Sequence, residues 1–148
     1  MDVDIRTLPA VRVAGWLIAA PSESMTAEIQ KLWARAGKER FPSDVVGQVK
    51  KGTATTITSG WLSDEPTEFL LGAEVEPSAP VQSGLVDRIF PAARCAIITL
   101  EGKVPNLVEN WDAIRAWLES HSEKWVADIS LRHYDLKLRT GTIALPLE

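Results

Sequence analysis

"RTLPAVR", residues 6–12, is the stretch that decides the fold, because the chain says nearly the same thing again as "RIFPAAR" at residues 88–94. Both segments read arginine, any residue, a large apolar residue, proline, alanine, a small apolar residue, arginine. The two copies begin 82 positions apart in a chain of 148 residues. Self-similarity at a fixed spacing indicates a duplicated structural unit.

The residues after each copy also correspond. "VAGWLIAA" (13–20) and "CAIITLEG" (95–102) are apolar and β-branched, so each predicts a strand with its proline at or near the strand start, where a missing N–H does least harm. Apolar residues at helical spacing then predict a helix over about 24–36, capped by Ser22 or Ser24. Shifting this range by 82 gives 106–118, where a second apolar stripe is formed by Leu107, Trp111, Ile114 and Leu118, with Asn106 as the cap.

Two further strands are predicted after each helix. They cover 53–61 and 67–75 in the first half, and 127–135 and 142–147 in the second. The proline-containing segment 76–84 connects the halves. The fold class is therefore α+β: one domain (1–148) of duplicated βαββ units (pseudo-repeats 1–75 and 85–148). These units form one antiparallel sheet with two main helices on one face and a ligand groove between them.

The charge, the cysteine count and the lack of a long apolar stretch exclude several classes of function. The net charge is −4, and the only local basic cluster is Lys50 and Lys51, which argues against direct nucleic-acid binding. A single cysteine forms no internal disulfide, and the N-terminus does not resemble a signal peptide. No apolar stretch approaches the ~20 residues of a membrane helix. These features predict a cytoplasmic protein that has no membrane partner.

Six tryptophans stand beside one tyrosine and three phenylalanines. Indoles commonly fill the core of a small domain, but some of them could instead line a cavity for a flat aromatic or cationic ligand. The two alternatives stay open for each tryptophan.

The order of several phrases resembles the GyrI-like small-molecule-binding domains, the effector-binding domains attached to some AraC-type and MerR-type regulators. The phrases are "RTLPAVRVAG", "IQKLW", "LLGAEV", "IFPAARCAIITLEG", "ENWDAIRAWL", "LRHYD" and "TIALPL". The resemblance implies a duplicated βαββ fold. Family members occur as regulator modules and as stand-alone proteins, and we expect the stand-alone form here because only five residues precede "RTLPAVR". The resemblance also implies a groove for lipophilic, often cationic compounds, in which an acid on the floor pairs with the ligand and aromatic residues stack on it.

This chain departs from the family pattern at the acids. Arg132 holds the place of the floor acid two residues before Tyr134, and Thr142 holds the place of a second acid. If Arg132 faces the groove, it should favour anionic or neutral ligands, and Glu74, Asp128 and Glu109 are candidate substitute acids. The ligand-binding residues predicted from the resemblance and the aromatic pattern are Trp16, Trp33, Trp61, Phe69, Trp111, Arg132, Tyr134 and Thr142.

Other chemistries have little support in the sequence. Cys95 in "CAIIT" is typical of a buried apolar residue, and His121 and His133 form no metal-ligand pattern, so we expect no metal or cofactor. The leading hypothesis is a stand-alone binder of small lipophilic molecules that sequesters or senses a compound. One alternative is a hydrolase of electrophiles in the same groove, where a positioned acid or tyrosine would activate water and Glu109, Trp111 and Tyr134 would be the first residues to mutate. The other is a gyrase-inhibitor-like protein-binding module. A small-molecule ligand is the expected partner, with a homodimer or a separate regulatory protein as further alternatives.

Overall fold

A computed structural model describes residues 1–61, 65–102, 109–126 and 128–148. It contains eight strands and two helices, in the order β1 (Val3–Leu8), β2 (Val11–Ala20), α1 (Ser22–Glu39), β3 (Thr53–Ser59), β4 (Thr67–Glu74), β5 (Val86–Phe90), β6 (Ala93–Thr99), α2 (Trp111–Ser120), β7 (Ile129–Asp135) and β8 (Thr140–Pro146). Neither described helix combines the length and apolar character that a membrane span needs.

The helices lie where the apolar periodicity predicts them, with different ends. The first helix is capped by neither serine, since Pro21 holds the cap position and the Ser24 hydroxyl donates to its carbonyl. Its C-cap is Arg40, whose N–H donates to the Ala36 carbonyl. The left-handed backbone of Arg40 (φ 54°) lets the next N–H, that of Phe41, reach the same carbonyl at 2.9 Å. In α2 the cap is Asn110, whose side-chain oxygen accepts from the Ala113 N–H at 3.2 Å. The predicted cap Asn106 and its neighbour Leu107 lie outside the described residues.

All strands join one antiparallel sheet with the order β1-β6-β8-β7-β3-β4-β2-β5. Each first-half strand has a second-half counterpart: β5 for β1, β6 for β2, β7 for β3 and β8 for β4. Exchanging the counterparts gives the same strand order read from the opposite end of the sheet. The sheet therefore has an approximate two-fold relation centred on the β3–β7 pair. The predicted α+β class, with one antiparallel sheet and two helices, is confirmed.

The sequence missed β1 and β5, whereas the two prolines lie near strand starts, two residues before β2 and β6. Pro9 and Pro91 each lie in a two-residue link between consecutive strands that do not pair with each other. Instead, β1 pairs with β6 and β5 pairs with β2, so each half places its first strand beside the second strand of the other half.

The two Pro-Ala links force the sheet to curl. Five strands separate β1 from β2, which in a flat sheet would be about 29 Å. The chain from Leu8 to Val11, however, spans at most about 11 Å. The same holds from Phe90 to Ala93. The repeated motif therefore lies where the two ends of the sheet come together, and this explains why the chain contains it twice.

The curled sheet has a different core on each face. The outer face carries both helices, because the buried residues Met25 and Leu32 of α1 and Ile114 and Leu118 of α2 belong to one cluster. The inner face encloses a second apolar cluster without a helix, formed by Val11, Val13, Ile57, Leu70, Phe90, Cys95, Ile97, Leu131 and Ala144. Cys95 is fully buried there, as its apolar surroundings in the sequence predict.

The last arginine of each repeated motif holds a connecting segment against the sheet. Arg12 pairs with Asp87 of β5 at 2.9 Å and donates to three carbonyls of the connector, those of Glu76, Pro77 and Ala79. Its counterpart Arg94 forms a two-pronged pair with Glu123 after α2. Both arginines thus attach a connecting segment to the strand that follows the Pro-Ala link.

Candidate functional site

Two sets of polar side chains lie where the halves meet, one on each face of the β3–β7 pair. Successive side chains of a strand point to opposite faces. Ala54 and Tyr134 belong to the outer, helix-bearing cluster, whereas Ile57 and Leu131 belong to the inner one. Even-numbered residues of β3 and β7 therefore face the helices, and odd-numbered residues face the inside of the curl.

The outer set is a strip of polar side chains, which we call the helix-face strip: Thr56, Thr58, Ser130, Arg132 and Tyr134. Rows of apolar residues flank it on both sides, as Arg132 lies between Ile143 and Thr56 in the sheet register and Thr56 in turn pairs with Leu71. The strip is shielded from solvent, because Thr56, Thr58 and Ser130 are at most 3% exposed. A packed core would normally place apolar residues here, since burying polar groups costs stability.

Arg132 points to the helix-bearing face as a member of this strip, but the positive charge of its side chain is already paired. Its guanidinium contacts the Glu109 carboxylate and donates to the hydroxyls of Thr58 (3.0 Å) and Ser130 (3.1 Å). The side chains of the ion pair are only 13% and 16% exposed. The expected free positive charge is therefore neutralised by Glu109, one of the acids considered in the sequence.

Tyr134 and Trp33 meet above the strip with their rings edge to face, 5.2 Å between centroids. Burial, opposed by Arg132 and reinforced by Glu109, raises the pKa of Tyr134 to about 12. The phenol therefore remains protonated and is poorly suited to act as a base near neutral pH. Beside it, the buried Thr56 hydroxyl has no hydrogen-bond partner among the described residues.

The inner set lines an open cavity of about 510 Å³, which we call the mouth because it lies at one end of the curled sheet. Cross-strand neighbours form its floor in two rows: Thr99, Thr142, His133 and Thr55, then Thr140, Asp135 and Thr53. Glu74, the last residue of β4, also lines the cavity, and its carbonyl accepts from the Val49 N–H. Val49 and Lys50, from the segment before β3, form part of the wall. The other end of the inner face is filled by the apolar cluster around Phe90 and Leu131.

Burial has opposite effects on two titratable groups of the mouth. Desolvation, and then the nearby Glu76 charge, raises the pKa of Glu74 above its ordinary value. Desolvation lowers the pKa of His133, whose Nδ1 lies 3.0 Å from the Thr55 hydroxyl. Glu74 has no hydrogen-bond or ion-pair partner for its side chain among the described residues, whereas Asp135 has Lys50 at 3.8 Å.

The eight predicted ligand-binding residues do not form one site. Trp33, Arg132 and Tyr134 come together at the helix-face strip, and Phe69 is buried in the same outer cluster. Thr142 points to the other face and lines the mouth. The remaining members are Trp16, stacked between Phe41 (3.9 Å) and the Arg35 guanidinium (3.9 Å); Trp61, packed on the outer cluster; and Trp111, stacked on Trp125 at 5.5 Å.

Sequence reasoning underrated the mouth. The sequence offers Glu74 only as one of three candidate acids and does not choose among them, and Thr55 carries no signal. The polar residues within "TATTITS" and "LRHYD" are the available clue, because strand alternation places hydroxyls on both faces of the central strands and His133 on one of them. Among the described residues, no group of three His, Cys, Asp or Glu side chains has metal-ligand geometry.

The curled duplicated sheet, with polar residues on both faces at its centre, defines a class of ligand-binding domain. The family model for the GyrI-like small molecule binding domain matches residues 1–142, and the chain belongs to this family.

Solved structures share the fold. SAV2435, in a structure bound to tetraphenylphosphonium, has a TM-score of 0.79 at 13% identity, covering 100% of this chain and 94% of that chain. The EcmrR C-terminal domain has a TM-score of 0.65 at 13% identity, covering 99% and 97%. A hydrolase from Listeria innocua has a TM-score of 0.55 at 11% identity, covering 99% and 91%.

Proposed function

We propose that this chain binds small lipophilic or aromatic molecules that carry a positively charged group, in the mouth between the two repeats. The observation that supports this most directly is the Glu74 carboxylate, which lines a cavity of about 510 Å³ without a partner for its charge among the described residues. A half-buried carboxylate is costly to keep ionised unless a cation or donor approaches it. A ligand cation would provide that partner.

The remaining lining suits the body of such a ligand. Val49, the methyl groups of the threonines and the His133 ring offer apolar contact, while the threonine hydroxyls and the imidazole offer hydrogen bonds. The cavity volume lies within the range of ordinary small-molecule sites, roughly 300–1,000 Å³. The tetraphenylphosphonium bound by SAV2435 is a compound of this class, which supports the proposal by analogy. Binding of this kind would sequester or sense a compound.

The helix-face strip supports ligand binding less well. Its hydroxyls are closed over, and its one cation is paired with Glu109. An incoming ligand would have to displace the Trp33–Tyr134 contact as well. The mouth needs no such rearrangement.

Three probes of similar shape test the proposal: tetraphenylphosphonium (cationic), triphenylphosphine oxide (neutral) and tetraphenylborate (anionic), each titrated calorimetrically into the full chain. We expect the cation to bind at least about tenfold more tightly than the anion, because a half-buried carboxylate at contact distance is worth more than 1.4 kcal/mol. Glu74→Gln should remove that preference. Glu68→Gln, the same change on the same strand but paired with Arg88 outside the mouth, should leave it intact.

Two outcomes would reject the mouth. One is a chain that binds none of the three probes. The other is cation binding that survives Glu74→Gln but is lost in Trp33→Phe, which would assign the ligand to the helix-face strip.

A further inference from the structure

Two neighbouring turns beside the mouth form one continuous surface, which we call the rim (residues 49–52 and 136–139). The first turn leads into β3 and the second connects β7 to β8, and Thr53 lies directly opposite Asp135 in the register of these strands. The Leu136 N–H donates to the Gly52 carbonyl at 3.0 Å, which links the two turns.

Local hydrogen bonds hold both turns in shape. One carboxylate oxygen of Asp135 accepts from the N–H groups of Lys137 (3.1 Å) and Leu138 (2.9 Å), and the Thr53 hydroxyl donates to the Lys50 carbonyl at 2.7 Å. The rim therefore presents its side chains outward from an ordered backbone.

Three of the eight large apolar side chains that are exposed among the described residues lie on the rim. Leu138 is 69% exposed, Val49 48% and Leu136 37%, and these are large residues at the tips of turns where packing does not require them. Val46, in the segment just before the rim, is 51% exposed. An exposed apolar group at a turn tip gains nothing in water, so a partner that buries it is a physical reason for its presence.

Cations accompany these apolar side chains. Lys51, Lys137 and Arg139 are exposed and have no acid within ion-pair distance among the described residues. Elsewhere on the described surface most arginines and lysines are paired, as in Arg6–Asp4, Arg88–Glu68 and Arg94–Glu123. In a chain with a net charge of −4, the rim is thus a local concentration of unpaired positive charge.

We propose that the rim docks on the surface of a lipid bilayer that contains anionic headgroups. Apolar tips beside unpaired cations fit an interface where leucine and valine reach the acyl boundary and lysine and arginine contact headgroups. Two turns at the same end of adjacent strands can meet a flat surface together. Docking would bring the mouth, which Val49 also lines, against the membrane. This departs from the expectation of no membrane partner, which considered only spanning helices, and it does not rest on what the mouth binds.

Vesicle co-sedimentation of the full chain tests the rim. The vesicles are phosphatidylcholine alone, or phosphatidylcholine mixed with phosphatidylserine. We expect binding to the mixed vesicles and little to phosphatidylcholine alone. Lys51→Glu combined with Lys137→Glu should weaken binding by about fivefold or more for each cation lost. Lys38→Glu combined with Lys124→Glu, the same charge change at unpaired lysines outside the rim, should change it by less than about twofold.

A second variant tests the contribution of apolar contacts to vesicle binding separately from the contribution of charge. Leu138→Ser removes no charge and should also weaken binding to the mixed vesicles, because its side chain is mostly exposed and unimportant for the core. The proposal is wrong if the wild-type chain ignores phosphatidylserine, or if the two lysine pairs behave alike. It is also wrong if the chain ignores both vesicle types but is retained by immobilised polyglutamate, because the rim would then recognise an acidic polypeptide.

Discussion

The Thr55 hydroxyl lies 3.0 Å from Nδ1 of His133, and this contact joins the central strands of the two halves in the floor of the mouth. Thr55 is fully buried and desolvation lowers the pKa of His133, so the folded chain holds a neutral imidazole there. The two-fold relation of the sheet thus brings one residue from each half into the same polar row.

The lowered pKa of His133 makes stability depend on pH. The unfolded chain takes up a proton near the ordinary histidine pKa of about 6.5, whereas the folded chain resists it until a lower pH. The stabilising contribution is therefore complete above about pH 6.5 and is lost as pH falls toward the lowered folded value. His133→Asn keeps a polar group beside Thr55 but does not titrate. In urea unfolding curves at successive pH values, we expect the variant to lose less stability than the wild type between about pH 6.5 and 5.

Glu74 opposes this trend, since its raised pKa adds stability as pH falls through the raised value. Both proteins carry Glu74, so the difference between wild type and His133→Asn isolates the histidine. His121→Asn, at the other and exposed histidine, is the matched control. Parallel curves for wild type and His133→Asn would show that His133 is not desolvated in solution.

Tyr134 offers a direct optical test of burial at the helix-face strip. It is the chain's only tyrosine, so absorbance of the phenolate reports this one residue. Because its pKa is raised to about 12, we expect almost no phenolate signal at pH 10, where an ordinary tyrosine is about half ionised. Circular dichroism at each pH identifies any unfolding. A midpoint near 10 in the folded chain would mean that the strip is open to water.

The repeated motif predicted the duplication but not the route of the chain. Periodicity finds elements that bury a stripe, so α1, α2 and the six longer strands could be located from their apolar patterns. The edge strands β1 and β5 alternate weakly, with three of the five β5 residues exposed, and therefore leave little signal. The strands on either side of each Pro-Ala link lie toward opposite ends of the sheet. This arrangement depends on pairing between distant segments, which a short stretch of sequence does not reveal.

The candidate site was harder to predict for a related reason. Arg132 and Tyr134 could be placed on one face from the resemblance, but Glu109, which neutralises Arg132, is 23 residues away along the chain. Thr142 is adjacent to Ile143, yet the two side chains point to opposite faces of the sheet. A residue's face depends on strand register, and an error of one position exchanges the faces.

Substitutions at Gly72 and Gly37 test two different effects on stability: the close approach of neighbouring strands and the low helix propensity of glycine. A Cβ on Gly72 would lie 1.9 Å from the Ala14 carbonyl oxygen of the neighbouring strand, so Gly72→Ala should cost at least about 2 kcal/mol of unfolding free energy. A Cβ on Gly37 in α1 would meet nothing within 4 Å. Gly37→Ala should therefore stabilise the chain by about 0.5–1 kcal/mol, because alanine is the better helix former. Chemical denaturation measures both, and equal effects would contradict the tight β2–β4 contact.

Removing both partners of the Arg132–Glu109 pair should cost less stability than the sum of the two single losses. Either single change leaves a mostly buried charge without its counter-ion, and such losses cost about 3 kcal/mol or more. Arg132→Met and Glu109→Gln should each approach this value in urea unfolding. The double variant should be less destabilised than the sum of the singles by about 1–3 kcal/mol, the usual coupling of residues in direct contact.

The same variants should change the charge preference of the helix-face strip in opposite directions. Glu109→Gln leaves the Arg132 guanidinium unpaired and should allow tetraphenylborate to bind there, whereas Arg132→Met leaves the carboxylate and should favour tetraphenylphosphonium. Performing both titrations in a Glu74→Gln background removes the carboxylate of the mouth from the comparison. Additive stabilities together with unchanged probe preference would mean that the two side chains are hydrated separately in solution, and the strip would then be an ordinary wet surface rather than a closed polar floor.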